Sequence, residues 1–135
     1  MIFKWGRKSS KNRILLTVGL IRVADRALGY GIMDFMIDCS FRNEYAQNMA
    51  YEDETSKVRW PYSKHNKIPA VAMDCVPIIN GGASWNKVHC LALSGLILAA
   101  GKEEGINLKW GGNWDMDSEP ITDQDFQDLV HYEEF

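Results

Sequence analysis

The chain has 135 residues, 46% of them apolar, which is the size of one ordinary domain with material for a single core. Its longest uncharged apolar stretch, residues 91–100, is interrupted by Ser94 and Gly95 and is too short to cross a bilayer, so stable membrane insertion is excluded. The net charge of −3 hides an asymmetry: Lys4, Arg7, Lys8, Lys11 and Arg13 precede any acid, and no Lys or Arg follows Lys109. Scattered cations without interleaved stacking aromatics describe a solvated terminus rather than a nucleic-acid surface.

The basic start followed by apolar residues 14–21 imitates a secretory signal. Arg22, Asp25 and Arg26 follow at once without a small-residue cleavage site, while Leu16, Leu20, Val23, Ala24, Ala27 and Leu28 recur at helical spacing. An amphipathic helix is therefore expected there, stopped by Gly29 and Gly31, in a protein made in the cytoplasm without a leader. Residues 34–40 alternate like a short strand and deliver Arg42 to its end. A brief helix is expected over 43–51, then a long polar loop over 52–67.

Residues 69–78 form a strand-like run around Asp74 that ends at Pro77, ahead of the Asn80-Gly81-Gly82 turn. Ser84 is the expected N-cap of a helix over 85–100, apolar on nearly every side and closed by Gly101. Strands are expected over 106–110 and 129–133, separated by the Gly111-Gly112 break and an acidic loop. With no repeat or linker, the expectation is one α+β domain over 1–135, a small antiparallel sheet flanked by helices, acting as a monomer.

Cys39, Cys75 and Cys90 cannot all pair within the chain and show no C-x-x-C spacing, so each is expected as a reduced, buried apolar filler. There are three histidines. Zinc without thiolates takes imidazole and carboxylate ligands, three in a catalytic site, and His65, Asp74 and His131 are residues of the right types. His-x8-Asp is no general metal signature, and on residue types alone the three are equally ordinary polar side chains.

The surrounding pattern goes further. S-K-H-N-K-I-P-A-V-A-M-D at 63–74 together with D-L-V-H-Y-E at 128–133 resembles the zinc D-alanyl-D-alanine carboxypeptidase and L-alanyl-D-glutamate endopeptidase family. D-F-M-I-D-C-S-F-R ending at Arg42, Gln47 five residues on, and W-G-G-N-W at 110–114 extend the likeness over about residues 12–134. The family's usual Ser-x-His-x6-Asp is two residues longer here and carries Pro69, a variant associated with phage-borne members. Asn113 stands where relatives often have Asp.

The resemblance implies a Hedgehog/DD-peptidase fold and a peptidase of peptidoglycan stem peptides. It implies zinc held by His65, Asp74 and His131, Asp128 as general acid and base, and Arg42 as the cation that stabilises oxyanion charge. Cleavage at L-alanyl-D-glutamate is the first expectation. D-alanyl-D-alanine cleavage and a non-catalytic, zinc-stabilised wall-binding domain are the alternatives. Action on the wall then follows release from the cell or delivery by a phage particle.

Beside these, Ser63 and Gln47 are candidates for orienting the site or touching substrate. Asp128 and His131, three apart, would face opposite sides of a regular strand, so the backbone must bend between them. Glu133 could hold His131 through its ring N–H, but an exposed terminal carboxylate is the preferred reading; His89 is expected to be a satisfied core histidine, with Trp85 and Trp110 in the core. Asp115, Asp117 and Asp123 lack calcium-loop spacing.

Overall fold

The basic start is not a free arm. In the computed structural model, which describes residues 2–119 and 127–135, it forms helix α1 (Arg7–Arg13) against strand β1 (Asp34–Cys39). Ser9 turns inward so that its hydroxyl accepts from the Ile37 amide at 3.0 Å, and the Asn12 carboxamide donates to the Ile37 carbonyl at 2.8 Å. Two side chains thus satisfy one residue of an edge strand and cover that edge. Sequence periodicity is blind to such contacts because the partners lie far along the chain.

Helix α2 (Val18–Gly29) begins one turn later than expected, because the Thr17 hydroxyl caps it by accepting from the Leu20 amide. Leu16 falls before the cap and bridges to Ala70 instead. The predicted face is otherwise correct: Leu20, Val23, Ala24, Ala27 and Leu28 are buried. Asp25, on the opposite side, accepts from Arg13 at 2.5 and 2.8 Å and from the Trp5 indole at 2.9 Å.

The Arg13 hydrogen bonds hold the Asp25 carboxyl below its usual range. A depressed folded pKa gives stability that is present above the unfolded value, near 4, and lost as pH falls through the folded one. Asp25→Asn is expected to cost about 0.5–1 kcal/mol at pH 7, kept small by solvent screening, with the difference vanishing in acid. Urea unfolding at pH 7 and pH 3 checks both halves.

The sheet runs β1-β2-β5-β4, antiparallel throughout, with β2 (Ala72–Ile79), β4 (Leu108–Gly111) and β5 (Asp128–Glu134) as predicted in kind. A two-residue β3 (Gly82–Ala83) returns onto the end of β2. Pro77 lies inside β2 rather than ending it, opposite Phe35. It is tolerated because β5 pairs with β2 only at Ala72, Met73 and Asp74, so the missing N–H costs no bond to β5, while the Pro77 carbonyl still accepts from the Ser84 amide at 2.8 Å.

Helix α4 (Lys87–Glu104) is capped by Asn86, not Ser84, and passes through Gly101 to end at Gly105, whose φ of 70° suits a left-handed cap. Gly101 serves packing: a Cβ there would lie 2.8 Å from Leu108. The helix buries one side only, through Cys90, Leu93, Ser94, Ile97, Ala100 and Gly101, against α2 and the sheet. Each fully buried side chain such as Leu20, Leu93 or Ile97 contributes about 1.5–3 kcal/mol of apolar transfer.

Two further expectations fail. Trp85 is 62% exposed, since α4 starts after it, whereas Trp110 is buried as expected. His89 is half-buried, its ring nitrogen 2.6 Å from the Ser84 hydroxyl. Cys75 and Cys90 are buried and Cys39 only partly so. Asp123 lies outside the described residues, and among those described no helix is long and apolar enough to cross a membrane.

Candidate active site

Strand register places the site. Met73, Tyr132 and Trp110 pair across β2, β5 and β4 and are buried in the core. The neighbouring row, Asp74 opposite His131, therefore lies on the other face of the sheet. On the other side of β2, Cys39 pairs with Asp74 after a bulge at Asp38. His65 arrives from a single helical turn, Lys64–Asn66, in the long loop. The Ser63 hydroxyl accepts from the His65 amide and the Asn66 carboxamide oxygen accepts from the Ser63 amide, a reciprocal cap that fixes the turn. Ser63 thus holds the backbone of His65 and also lines the cleft.

The bend expected between Asp128 and His131 is present as a large bulge. Gly111 pairs with Asp128, yet the adjacent Trp110 already pairs with Tyr132. The Trp110 indole donates to the Leu129 carbonyl at 2.8 Å and pins the bulge. Gly111 is required, because a Cβ there would sit 2.0 Å from the Asp128 carbonyl oxygen. The bulge returns the Asp128 carboxylate to the face that carries His131, and ligand atoms of Asp74, Asp128 and His131 come within 4.8 Å of one another.

Three atoms face each other at the centre. His65 Nε2 lies 3.2 Å from Asp74 Oδ1, His131 Nδ1 lies 3.4 Å from the same oxygen, and the two nitrogens are 3.3 Å apart. The outer nitrogens are fixed by acceptors: His65 Nδ1 donates to the Ser40 carbonyl at 2.7 Å and His131 Nε2 to Glu133 Oε1 at 2.9 Å. Each ring therefore turns its other nitrogen inward, where it faces Asp74 when protonated and offers a lone pair to a metal once the proton is lost. Asp74 Oδ1 is buried and has no hydrogen-bond partner among the described residues.

Burial alone would push both imidazoles toward neutrality. The Asp74 carboxylate overrides it, raising His65 to about 10 and, with Glu133, His131 to about 9. Burial likewise raises the Asp74 carboxyl, but the two rings, His65 foremost, pull it well below the carboxylate range. The pocket is built for positive charge.

A divalent metal fits these donors. A tetrahedron with bonds of ~2.0–2.1 Å has edges of roughly 3.3–3.4 Å, the spacing of these three atoms. Two imidazoles and one carboxylate suit zinc, and the orphaned Asp74 oxygen has a use there. Two other trios with ligand atoms within 4.8 Å, Cys39–His65–Asp74 and Asp74–Asp128–His131, are also compatible with a metal by residue type. The Cys39 sulfur, however, lies 3.7 Å from His65 Nδ1, the ring nitrogen already committed to Ser40.

Arg42 meets Asp74 Oδ2 at 3.7 Å and donates to Gln47 Oε1 at 3.0 Å. Gln47 is fully buried on α3 (Glu44–Glu52), which starts at the Asn43 cap. Its oxygen also accepts from Asn66, and its amide donates to Ser56 Oγ and the Val58 carbonyl at 2.8 and 2.7 Å. One side chain thereby ties together Arg42, the loop at 56–58 and the turn carrying His65. Gln47 has no exposed surface through which to touch substrate.

Asp128 is raised above its ordinary value, first by burial and next by the charge of Asp74. Its surroundings are a cleft of about 240 Å³ lined also by Arg42, Tyr62, Lys64, Trp114 and Glu133. Trp114 lays its ring against His131, centroids 5.4 Å apart. Larger hollows of about 400 and 610 Å³ lie beside α4 and on the outer face of α3. The titratable cluster lines the smallest of these three, and chemistry outranks volume in locating the site.

Glu133 corrects the sequence reading, since it is not a free terminal carboxylate but the partner of His131. The signal was available: residues two apart on a strand share a face. Cys39, Ser40 and Asn66 carried no comparable sign. If the trio holds metal, Glu133→Ala is expected to weaken metal affinity about 10–100-fold through loss of ring orientation. Competition with a zinc-binding dye measures it.

The comparisons with known proteins point to one family. Residues 1–134 match the family model of the phage L-alanyl-D-glutamate peptidases. The chain is 38% identical over 117 residues to an L-alanyl-D-glutamate peptidase of Escherichia phage T5, covering 84% of this chain and 83% of that protein. Its fold resembles the L-Ala D-Glu endopeptidase ChiX of Serratia marcescens with a TM-score of 0.80 at 22% identity, covering 99% and 91% of the two chains. With a match across nearly its whole length and a relative this similar, the chain belongs to the phage L-alanyl-D-glutamate peptidase family.

Proposed function

We propose that the protein is a metal-dependent peptidoglycan peptidase that hydrolyses the L-alanyl-D-glutamate amide of stem peptides, with zinc held by His65, Asp74 and His131. The observation that carries the proposal is the triangle of inward-facing donor atoms, one a buried oxygen without a hydrogen-bond partner among the described residues, with the Asp128 carboxylate beside it. The chemistry that zinc supplies when bound there is Lewis acidity, which lowers the pKa of water to near 7 and polarises a carbonyl.

The protein's own residues do the rest. Asp128 accepts a proton from the attacking water and returns it to the leaving amine, and its raised pKa brings it nearer the range where one group can do both. Arg42, held by Gln47, places a fixed cation where the carbonyl oxygen gains negative charge, a contribution of about 10²–10³ in rate for donors of this kind. Glu133 and the Ser40 carbonyl keep both rings in one tautomer.

Such an enzyme acts at the cell wall, reached after the membrane is breached or with a virion. Digestion of purified peptidoglycan with the metal-loaded protein, read by mass spectrometry alongside metal analysis, tests the reading. New alanine carboxyl and glutamate amino ends are expected. Released D-alanine would move the cut to the stem terminus, and bound zinc without any product would leave a wall-binding domain.

A further inference from the structure

The cleft wall beside Asp128 and His131 is cationic in a way that the catalytic arrangement does not use. Lys57 and Lys64 line it together with Arg42, Tyr62 and Trp114, facing the acids Asp128 and Glu133. Arg42 is committed to Gln47 and Asp74, and Glu133 to His131. Lys64 takes part in no ion pair among the described residues and lines the same cleft as Glu133. It immediately precedes His65 in the capped turn, so its Cα lies ~3.8 Å from that of a candidate ligand.

Lys57 is also positioned. The residues on either side of it, Ser56 and Val58, are the two that the buried Gln47 amide holds at 2.8 and 2.7 Å. The same Gln47 holds Arg42 and Asn66, so both lysines are referenced to one rigid point. Tyr62, 79% exposed on this wall, and Trp114 against His131 offer flat apolar surface on which a short peptide can lie.

The substrate class supplies the counter-charge. A glutamyl residue that donates the scissile nitrogen has two carboxyl groups, and only one of them can continue the peptide. The other is left within one residue of the cut, as a free carboxylate or as a carboxamide. Resting on the L-alanyl-D-glutamate reading above, we propose that Lys64 and Lys57 form an anion subsite for that second carboxyl group. The protein then selects stem peptides with free D-glutamate over those in which the group is amidated.

A carboxamide offers a lysine one neutral acceptor in place of a charged one, and charge-assisted bonds are roughly twice as strong as neutral ones. Partial solvent exposure of both lysines limits the discrimination to about 10-fold.

Two synthetic stem tripeptides that differ only in this carboxyl or carboxamide test the subsite, with the metal-loaded parent, Lys64→Gln, Lys64→Arg and the Lys57→Gln/Lys64→Gln double variant. The parent is expected to favour the acid by about 10-fold in kcat/KM, mostly through KM, and more strongly at low salt. The double substitution is expected to bring the ratio to within about twofold of one by losses on the acid peptide, while Lys64→Arg keeps the preference. Equal cleavage of both peptides by the parent would overturn the subsite and leave the peptidase reading standing. A preference that survives the double substitution, or equal losses on both peptides, would overturn it too. Cleavage of neither peptide by the parent would sink the peptidase reading and the subsite with it.

Discussion

Asp128→Asn is expected to lower turnover about 10²–10⁴-fold while leaving metal content and unfolding midpoint close to those of the parent. The carboxylate lies beside the triangle of inward-facing donors but is not one of its corners, so its removal leaves the three proposed zinc ligands in place. Asparagine keeps the side-chain shape and an oxygen for the Val130 amide, which Asp128 already engages. What disappears is a group able to take up and return a proton. It also removes a negative charge next to Asp74, so folding should not suffer. Kinetics on a stem peptide, metal analysis and thermal unfolding form the test; retention of more than a tenth of the parent rate would remove Asp128 from the mechanism.

Asp74→Ala is expected to weaken metal binding by more than the roughly 10–100-fold that loss of an outer hydrogen-bond partner costs. It takes away the one anion among the three facing atoms. It also reverses the balance at His65, where burial opposes the charged ring and Asp74 is the leading force that favours it. In the metal-free parent the imidazole stays protonated through neutral pH; in Asp74→Ala burial prevails and the ring is neutral. The sign for stability follows. Raised imidazoles stabilise the metal-free fold fully below about pH 6.5, and this is lost as pH rises through about 9 to 10. Imidazole proton shifts measured by NMR against pH, with unfolding over the same range, check both statements. A His65 that titrates alike in parent and variant would contradict them.

Element types were legible wherever a segment's own pattern decides its structure. The inward face of α2 followed from the spacing of Leu20, Val23, Ala24, Ala27 and Leu28, and the strands at 34–39, 72–79, 108–111 and 128–134 from alternation and flanking turns. Boundaries were less so. Ser84 and Asn86 are both good caps, and only Asn86 was used; Gly101 resembles a stop but is a packing contact with Leu108. Trp85 was placed in the core by residue type alone, which cannot say whether a neighbour arrives to cover it.

The sequence by itself determined the residue types of the site and, through an ordered set of short motifs, the family. Those motifs are local, and local spacing survives in a linear string. Only the tertiary structure decided that Asp74 and His131 stand opposite each other, that a bulge over Gly111 returns Asp128 to their face, and that Gln47 clamps Arg42. It also turned Glu133 from a surface carboxylate into a partner of His131 and the basic start into a helix that covers an edge strand. Apart from Glu133, whose two-residue spacing already put it on the face of His131, each depends on register or on contacts that a segment's own pattern does not record, and pairing across strands leaves no periodic trace in either partner.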